Sequence, residues 1–259
     1  MFTVVSCNVN GIRAAQRKGF WSWLEELDAD VICLQETKAD LVTLSQSEFA
    51  LAGYHAYFSS AEKKGYSGVA IYAKQKPQKV EYGLGHATLD TEGRVVLAHF
   101  TNVSVMSLYL PSGTSGDVRQ DVKMKVLDYF AREYLAKQAN SDRGIILAGD
   151  WNIAHKQIDL KNWRQNQKNS GFLPEERAWM DYVFDELGWI DAFRVLCDQE
   201  QQYTWWSYRA GARQNNVGWR IDYQIVNAAL SSALLRTRIA PEPIFSDHAP
   251  LIMEYSGVL

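Results

Sequence analysis

The sequence predicts an α/β fold, because strand-like and helix-like segments alternate along its whole length. Short apolar runs typical of buried strands are separated by segments in which apolar residues recur at helical spacing. Polar side chains able to do chemistry repeatedly stand where an apolar run ends, as Asp150 does after the run 145–148. No linker, low-complexity tract or short repeat divides the 259 residues, so we predict one domain over residues 1–259.

The composition is that of a soluble enzyme, with 47% hydrophobic and 22% charged residues. No apolar run approaches the roughly 20 residues of a membrane span. Cys7, Cys33 and Cys197 are scattered, which argues against a disulfide framework or a zinc site. The N-terminus enters a strand without a visible secretory signal, so we expect a cytoplasmic protein with no membrane partner. The sequence leaves the oligomeric state open, and a monomer is the default expectation.

The first third of the chain predicts two buried strands that end in polar residues. The run 2–7 is followed by Asn8 and Asn10, two amides that project the same way from an extended segment. Apolar residues at positions 20, 23, 24 and 27 indicate an amphipathic helix. The second strand, 29–34, is followed by the carboxylate of Glu36.

The middle of the chain repeats this design. A turn over 65–68 leads into a strand at 69–73, and residues 95–100 and 103–110 read as an antiparallel pair ending near Tyr109. A helix around 127–134 precedes the strand that stops at Asp150. Asn152 follows two positions later and therefore points the same way as Asp150.

The last third carries a basic loop, an aromatic stretch and two acids near a histidine. Residues 156–171 read as a long polar loop, and long ordered loops are usually functional. Pro174 then opens a helix with acids in its first turn. In the alternating strand 219–226 Asp222 lies on the polar side, and Asp247 and His248 come just before the final strand.

These strand-end residues suit the hydrolysis of a phosphodiester by water. Carboxylate and amide oxygens are the ligands of a hard divalent cation, and a histidine beside acids can handle protons. The sequence shows no nucleophilic serine or cysteine signature, no glycine-rich phosphate loop and no His/Cys cluster. Each residue alone has an ordinary explanation, such as an Asx-turn for Asp150 and Asn152. The net charge of −3 gives no bulk attraction to nucleic acid, but basic clusters beside the loops can track phosphates.

Seven sequence blocks, in order, resemble the exonuclease III-type apurinic/apyrimidinic (AP) endonucleases of the endonuclease/exonuclease/phosphatase superfamily. The blocks span positions 8–13, 34–38, 65–69, 109–111, 149–152, 218–223 and 246–250. The resemblance implies a four-layer α/β/β/α sandwich of two mostly antiparallel sheets flanked by helices. It also implies a site at the open end of that sandwich, where the strand ends converge.

By the same resemblance, a Mg²⁺ ion, for which Mn²⁺ can substitute, is held mainly by Glu36, with Asn8 and Asp247 near it. His248, oriented by Asp222, contacts the scissile phosphate. Tyr109 donates a hydrogen bond to the phosphate or assists departure of the leaving oxygen. Asp150 either takes a proton from the attacking water, as a base, or gives one to the leaving group, as an acid. Asn152 fixes the direction of that water. The number of metal ions, one or two, stays open.

The resemblance further implies a DNA repair nuclease. It would cut double-stranded DNA on the 5′ side of abasic sites and remove 3′ blocking groups or nucleotides. The residues expected to bind DNA or to line the pocket for a base-free sugar are Asn10, Arg13, Lys38, Tyr66, Asn169, Trp205, Arg209, Trp219 and Ile221.

Two alternatives keep the same scaffold. A non-catalytic nucleic-acid-binding regulator, like the catabolite repression control proteins of some bacteria, would have no need of the complete acid set found here. A phosphodiesterase for small molecules or lipids would have no need of the aromatic stretch and the basic loops. Both features therefore favour the nuclease.

Overall fold

Two six-stranded sheets packed face to face form the centre of the computed structural model, which describes residues 1–257. The first sheet contains, in spatial order, β13 (Leu234–Ile239), β14 (Leu251–Tyr255), β1 (Phe2–Asn8), β2 (Val31–Gln35), β4 (Val69–Ala73) and β3 (His55–Ser59). The second contains β5 (Lys79–Tyr82), β6 (Val95–His99), β7 (Val103–Tyr109), β8 (Gly144–Asp150), β12 (Asp222–Val226) and β9 (Ile190–Asp191). A short antiparallel ribbon joins β10 (Trp205–Trp206) to β11 (Gly218–Trp219).

Each sheet is mixed, with one parallel pair among antiparallel neighbours. The parallel pairs are β1 with β2 and β7 with β8. Side chains such as Val4, Val31, Val105 and Ile146 fill the space between the sheets and are fully or almost fully buried. The expectation of two mostly antiparallel sheets is therefore confirmed.

Helices cover the outer face of each sheet and complete four layers. Their bounds are α1 (Ile12–Arg17), α2 (Phe20–Leu27), α3 (Leu41–Leu44), α4 (Ala87–Thr91), α5 (Asp117–Phe130), α6 (Ala136–Gln138), α7 (Trp163–Asn166), α8 (Pro174–Asp181) and α9 (Ala192–Leu196). Phe20 and Leu24 of α2 pack on the first sheet, whereas Leu127 of α5 and Met180 of α8 pack on the second. A π-helical turn over Ala131–Leu135 continues α5 into α6.

One end of the sandwich gathers the carboxyl ends of four strands, β1, β2, β7 and β8. Gly149 makes the approach of β7 and β8 possible there, because a Cβ at this position would lie 1.8 Å from the carbonyl oxygen of Leu108. The parallel register then pairs Tyr109 with Asp150, and the antiparallel register pairs Asp150 with Asp222. Three predicted site residues are thus fixed side by side by backbone pairing.

Two sequence expectations need correction. The strand predicted over 219–226 is interrupted, with β11 ending at Trp219 and β12 beginning at Asp222. The loop predicted over 156–171 is instead partly helical, since it contains a 3₁₀ turn at Gln157–Asp159 and α7. The buried carboxylate of Asp159 connects the two regions, because it accepts hydrogen bonds from Lys156 in the loop and from Arg220 at the strand break.

Asp159 is 1% exposed and accepts hydrogen bonds from two guanidinium groups and one amide. Arg220 Nε donates to its Oδ1 over 2.7 Å and Arg194 Nη2 over 2.8 Å, while the Lys156 amide donates to Oδ2 over 3.0 Å. Burial works to raise the pKa of Asp159, but the two arginines outweigh it and hold the pKa at about 2. The carboxylate therefore favours the folded state.

We expect Asp159→Asn to lower the free energy of unfolding at pH 7 by about 3 kcal/mol, the lower end of the range for a broken buried ion pair, because Arg220 keeps a second carboxylate partner, Asp191. The parental carboxylate, with a pKa depressed to about 2 from an ordinary value of 3.8, stabilises the fold above about pH 4 and loses that effect as the pH falls toward 2. Urea unfolding at pH 7 and pH 3 measures both effects. A gap between parent and variant that stays equal at the two pH values would contradict the assignment.

Among residues 1–257 no helix combines the length and the apolar character needed to cross a membrane.

Candidate active site

A cleft of about 830 Å³ opens at the end of the sandwich where the strand ends converge. It is lined by residues from both sheets and from the loops that follow them. The predicted site residues along its wall are Glu36, Tyr109, Asp150, Asn152, Asn169, Trp205, Trp219, Ile221, Asp247 and His248.

The polar residues reach the cleft because the backbone turns sharply at each strand end. Asn10, Glu36, Lys38 and Asn152 all have left-handed backbone conformations, with φ between 44° and 54°. Such conformations are uncommon outside glycine and cluster at functional sites, where the surrounding structure enforces them. The turns aim the side chains that follow β1, β2 and β8 at one volume.

Asn8 links the two sheets through its side-chain amide. Its Nδ2 donates to Glu36 Oε1 over 2.8 Å and to Asp150 Oδ2 over 2.9 Å, and its Oδ1 accepts from the Asn10 amide over 3.0 Å. Ligand atoms of Glu36, Asp150 and His248 lie within 4.8 Å of one another. The site therefore offers a compact group of two carboxylates and one imidazole, drawn from three distant parts of the chain.

His248 lies between two buried aspartates. A hydrogen bond of 2.8 Å joins its Nδ1 to Asp222 Oδ2, and its Nε2 lies 3.9 Å from Asp150 Oδ2. Burial works to lower the pKa of His248, but Asp222, and then Asp150, outweigh it and raise the pKa to about 10. At neutral pH the ring is therefore an imidazolium that donates from both nitrogens.

The two carboxylates of the group have opposite tendencies. Burial and the neighbouring Asp222 charge raise the pKa of Asp150 to about 7, so this side chain can exchange a proton near neutral pH. Burial also works to raise the pKa of Glu36, but Lys38, whose Nζ lies 2.9 Å from Oε2, and the Asn8 amide lower it overall. Glu36 is thus a permanent carboxylate suited to a cation.

Asp247 points to a different side of the cleft. Its Oδ1 accepts from Asn10 Nδ2 over 2.9 Å and from Ser246 Oγ over 3.0 Å, and its Oδ2 accepts from Trp205 Nε1 over 3.1 Å. The structure thus places Asp247 on the cleft wall but outside the group formed by Glu36, Asp150 and His248.

The donor set fits a divalent cation. Four acidic side chains, Glu36, Asp150, Asp222 and Asp247, lie at or beside this group, whereas the cations bonded or close to them there are His248 and Lys38, so the acids outnumber the cations. Within the described part of the chain, the buried Asp222 Oδ1 also has no hydrogen-bond partner. Oxygen-rich acidic sites are typical of Mg²⁺ and related ions.

Tyr109 and Asn152 stand on either side of Asp150. Burial, and secondarily the Glu36 charge, raise the pKa of Tyr109 well above its ordinary value, so its hydroxyl remains a donor. The Asn152 amide donates to Asp150 Oδ1 over 2.8 Å, and its side-chain Nδ2 donates to the Leu110 carbonyl over 2.9 Å. The side-chain amide of Asn152 is therefore fixed with one orientation.

Sequence reasoning missed the support beneath Asn152. Lys123 and Glu176, both 0% exposed at their side chains, form a buried ion pair there. Lys123 Nζ donates to the Asn152 carbonyl over 2.8 Å, while Glu176 Oε2 accepts from the Gly171 amide over 2.6 Å. A lysine on the buried side of α5 was the only sequence signal for this pair.

An aromatic pocket forms the other wall of the cleft. The ring centroids of Trp205 and Trp219 are 6.4 Å apart at an interplanar angle of 83°, and Ile221 packs in the same cluster. Gly171 lets the neighbouring loop pass closely, since a Cβ there would lie 3.1 Å from the Asn152 carbonyl oxygen. The adjacent Trp206 is 5% exposed and packs in the interior.

The remaining predicted DNA contacts lie around the cleft. Asn169 lines it with Lys168, whereas Asn10 and Lys38 bond to its acidic residues. Arg13 and Arg209 are exposed on the surface, and Tyr66 contacts arginines behind Tyr109. The structure therefore does not bring Arg13, Tyr66 and Arg209 into the cleft itself.

Comparison with known families and proteins agrees with this geometry. Residues 5–248 match the model of the Endonuclease/Exonuclease/phosphatase family. An exodeoxyribonuclease of Bacillus subtilis (strain 168) is 44% identical over 250 residues, which cover 96% of this chain and 97% of the relative. The DNA repair nuclease APEX1 of Danio rerio is 40% identical over 253 residues, 96% of this chain and 81% of the relative.

Solved structures share the whole fold. An AP endonuclease from Archaeoglobus fulgidus superposes with a TM-score of 0.90 at 28% identity, covering 99% of this chain and 100% of the other. A 3′-5′ exonuclease from Neisseria meningitidis gives a TM-score of 0.89 at 27% identity, with 98% and 99% coverage. The predicted α/β sandwich is confirmed by these likenesses.

Proposed function

The chain belongs to the endonuclease/exonuclease/phosphatase family, and we propose that it is a DNA repair nuclease that hydrolyses phosphodiesters with the help of a divalent cation. Its substrates would be double-stranded DNA with abasic sites, cut on their 5′ side, and blocked 3′ ends. The names of its relatives, an exodeoxyribonuclease and a DNA repair nuclease, support this class of reaction.

The observation that carries the proposal is the convergence of Glu36, Asp150 and His248 within 4.8 Å. A regulator that only binds nucleic acid has no use for a buried imidazolium between two aspartates, because each buried charge costs folding free energy. The arrangement is suited to a reaction in which negative charge develops on phosphoryl oxygens.

Each residue of this chain receives a role from its contacts. The imidazolium of His248 donates from Nε2 toward a phosphate oxygen, and Asp222 keeps it protonated and oriented. Asp150, whose pKa of about 7 permits proton exchange, accepts a proton from the attacking water or returns one to the leaving oxygen. Tyr109 donates its hydroxyl to the phosphate, and Asn152 directs the water.

Glu36 would be the main ligand of Mg²⁺ or its substitute Mn²⁺, with Asn8 beside it. Asp247, whose carboxylate lies on another side of the cleft, would act on the ion through water. When bound, the ion supplies positive charge that polarises the phosphoryl group and stabilises the developing negative charge. Glu36 is suited to this task because its pKa lies below the ordinary value despite burial.

The aromatic pocket supports selection of abasic sites. Trp205, Trp219 and Ile221 give the cleft an apolar wall. A sugar that lacks a base would pack against this wall. Flipping a nucleotide out of the duplex is also cheapest where no base pair is broken. Lys168 and Asn169 at the rim would brace the flanking phosphates.

Incision of a duplex with one abasic-site analogue, with Mg²⁺ and with EDTA, tests the function directly. A nicked duplex with a blocked 3′ end is the matched second substrate. We expect cation-dependent cutting on the 5′ side of the lesion. Trimming of the nick alone would indicate a 3′-end specialist, and binding without cutting would favour the regulator.

We expect Glu36→Gln to raise the Mg²⁺ concentration at half-maximal rate by about tenfold or more, because one charged oxygen ligand becomes a neutral amide. Activity at saturating Mg²⁺ should recover in part. Glu62→Gln, a solvent-exposed change away from the cleft, is the control. An unchanged Mg²⁺ titration for Glu36→Gln would show that the ion is bound by other residues.

The proposed enzyme acts as a monomer in the cytoplasm. The cleft supports this oligomeric state, since residues from this one chain line it from both sheets. Sedimentation of the protein alone and with a DNA duplex measures the stoichiometry, and a second copy per duplex would contradict the monomer.

A further inference from the structure

A buried arginine lies directly against the ring of Tyr109. The Cζ atom of Arg94 is 4.4 Å from the centroid of that ring, and Arg94 Nη1 donates to the Tyr109 carbonyl over 2.9 Å. The Tyr109 amide in turn donates to the Arg94 carbonyl over 2.9 Å. Arg94 is 1% exposed, so its guanidinium contacts protein groups rather than solvent.

A second layer of charges holds that guanidinium in place. Glu92 accepts from Arg94 Nε over 2.6 Å and from Arg119 Nη2 over 2.6 Å, so one carboxylate joins two arginines. The Tyr66 hydroxyl accepts from Arg94 Nη2 over 3.1 Å and from Arg119 Nη2 over 2.8 Å. We call Glu92, Arg94, Arg119 and Tyr66 the arginine brace.

The brace acts on the orientation of the Tyr109 ring, which decides where the hydroxyl points. Backbone pairing with Asp150 fixes only the Cα atom of Tyr109, so the orientation of its buried ring depends on the side chains packed against it, Arg94 among them. A planar guanidinium stacked on one face of the ring blocks rotation of the ring, and its fork of donors fixes the plane. Lysine has neither the plane nor the fork.

We propose that Arg94, held by Glu92 and Arg119, is a positioning residue that fixes the Tyr109 ring so that its hydroxyl faces the reacting phosphate. This inference deepens the proposed function and rests on it. Arg94 touches neither Glu36 nor Asp150 and acts through Tyr109 alone. A misplaced catalytic group can slow a reaction greatly even when the substrate binds normally.

A double-mutant cycle tests the proposal. We expect Arg94→Lys to lower kcat for abasic-site incision about tenfold with KM unchanged, and to lower kcat less than about twofold when Tyr109→Phe has removed the hydroxyl. Equal losses in both backgrounds would overturn the proposal, because they would show an effect that does not pass through the hydroxyl.

Arg143, at the opposite end of β6 and β7 from Arg94 and Tyr109, provides a matched control. Arg143 Nη1 donates to the Phe100 carbonyl over 2.5 Å at the turn between β6 and β7, far from the cleft. Arg143→Lys should leave kcat unchanged. If Arg94→Lys fails to fold, Arg119→Lys serves in its place, since Arg119 is 22% exposed at its side chain. The kcat loss for Arg119→Lys should likewise vanish in the Tyr109→Phe background.

A readout independent of activity separates this proposal from the proposed function. With 3-fluorotyrosine at position 109, ¹⁹F NMR of the parent should show a narrow resonance from one fixed ring orientation. Arg94→Lys should shift or broaden it, and Arg143→Lys should not. An unchanged spectrum for Arg94→Lys overturns the brace, whereas a fixed ring in a parent that cuts no DNA overturns only the nuclease.

Discussion

Replacing Asp150 by asparagine is expected to lower kcat by a factor of about 10² to 10⁴ while DNA affinity stays nearly unchanged. Asparagine has the same shape but exchanges no proton near neutral pH. Asp150 is also the only acid in the group whose pKa is raised to about 7, which suits proton transfer either from water or to the leaving oxygen. The loss should therefore appear in the chemical step.

Asp150→Asn also changes the hydrogen bonds of this side chain, and their effect on stability must be measured separately from the effect on kcat. Both oxygens of Asp150 accept, Oδ1 from the Asn152 amide and Oδ2 from Asn8 Nδ2. An asparagine places a donor against one of these donors, so a small loss of stability is expected. Thermal unfolding and DNA binding of the variant measure that loss.

Asp30→Asn is the matched control for Asp150→Asn. Asp30 Oδ2 accepts from the Thr3 amide over 2.8 Å at the opposite end of β1, so the same exchange is made far from the cleft. Its kcat should equal that of the parent. An Asp150→Asn enzyme with at least a tenth of the parental kcat would contradict a proton-transfer role for Asp150.

The sequence was sufficient to locate the strand-end residues of the site, because the pattern of apolar runs alone indicates where each strand ends. Apolar runs of strand length stop at Asn8, Glu36, Tyr109 and Asp150, and the structure ends or turns its strands at these positions. Parallel pairing places Asn8 beside Glu36 in the first sheet and Tyr109 beside Asp150 in the second. That these two pairs meet at one end of the sandwich was implied only by the family resemblance. Asp222 and His248 were predictable as a pair only through the family resemblance.

The arginine brace could not be predicted, because its residues follow no local pattern. Glu92 and Arg94 lie in a turn between α4 and β6, and Arg119 lies on α5. They meet only because β7 carries Tyr109 past both elements. The left-handed backbone at Glu36 could not be predicted from the sequence either, because glutamate has no preference for that conformation and only tertiary contacts impose it.

The sequence correctly predicted which side chains of β12 share its polar face, but not what that face contacts. Alternation placed Asp222 and Gln224 on one face, which in an exposed sheet would meet solvent. Here that face meets the other sheet, and Gln224 Nε2 donates to the Val4 carbonyl over 2.9 Å across the interface. A sheet covered on both faces can bury a polar side only where such partners exist.

The second large effect is expected at His248. Its replacement by asparagine should lower kcat by a factor of about 10² to 10⁴, because the imidazolium that faces the phosphate is lost. Asp222→Asn should produce a large part of this loss, since Asp222 is the main positive influence on the raised pKa of His248. The two residues act as one unit, so the double variant should be little slower than His248→Asn alone.

The free energy of unfolding provides a second test of the His248–Asp222 pair, independent of activity. In His248→Asn the Asp222 carboxylate, 0% exposed, loses its one charged partner, and its Oδ1 already has no hydrogen-bond partner in the described part of the chain. We expect a loss of about 3 to 5 kcal/mol in the free energy of unfolding. Adding Asp222→Asn should restore part of it, because the uncompensated charge is removed.

The pH dependence of the parent must have a definite sign if the pair is an imidazolium and a carboxylate. A histidine whose pKa rises from 6.5 in the unfolded chain to about 10 in the fold stabilises the folded state fully below about pH 6.5. That contribution declines above pH 6.5 and is lost as the pH passes 10. Urea unfolding at pH 6, 8 and 10 should therefore show a smaller gap between the parent and the His248→Asn/Asp222→Asn double variant as the pH rises. A difference in the free energy of unfolding that grows with pH would mean that His248 is neutral in the folded protein. The ring would then lack the positive charge with which His248 is proposed to stabilise the phosphate.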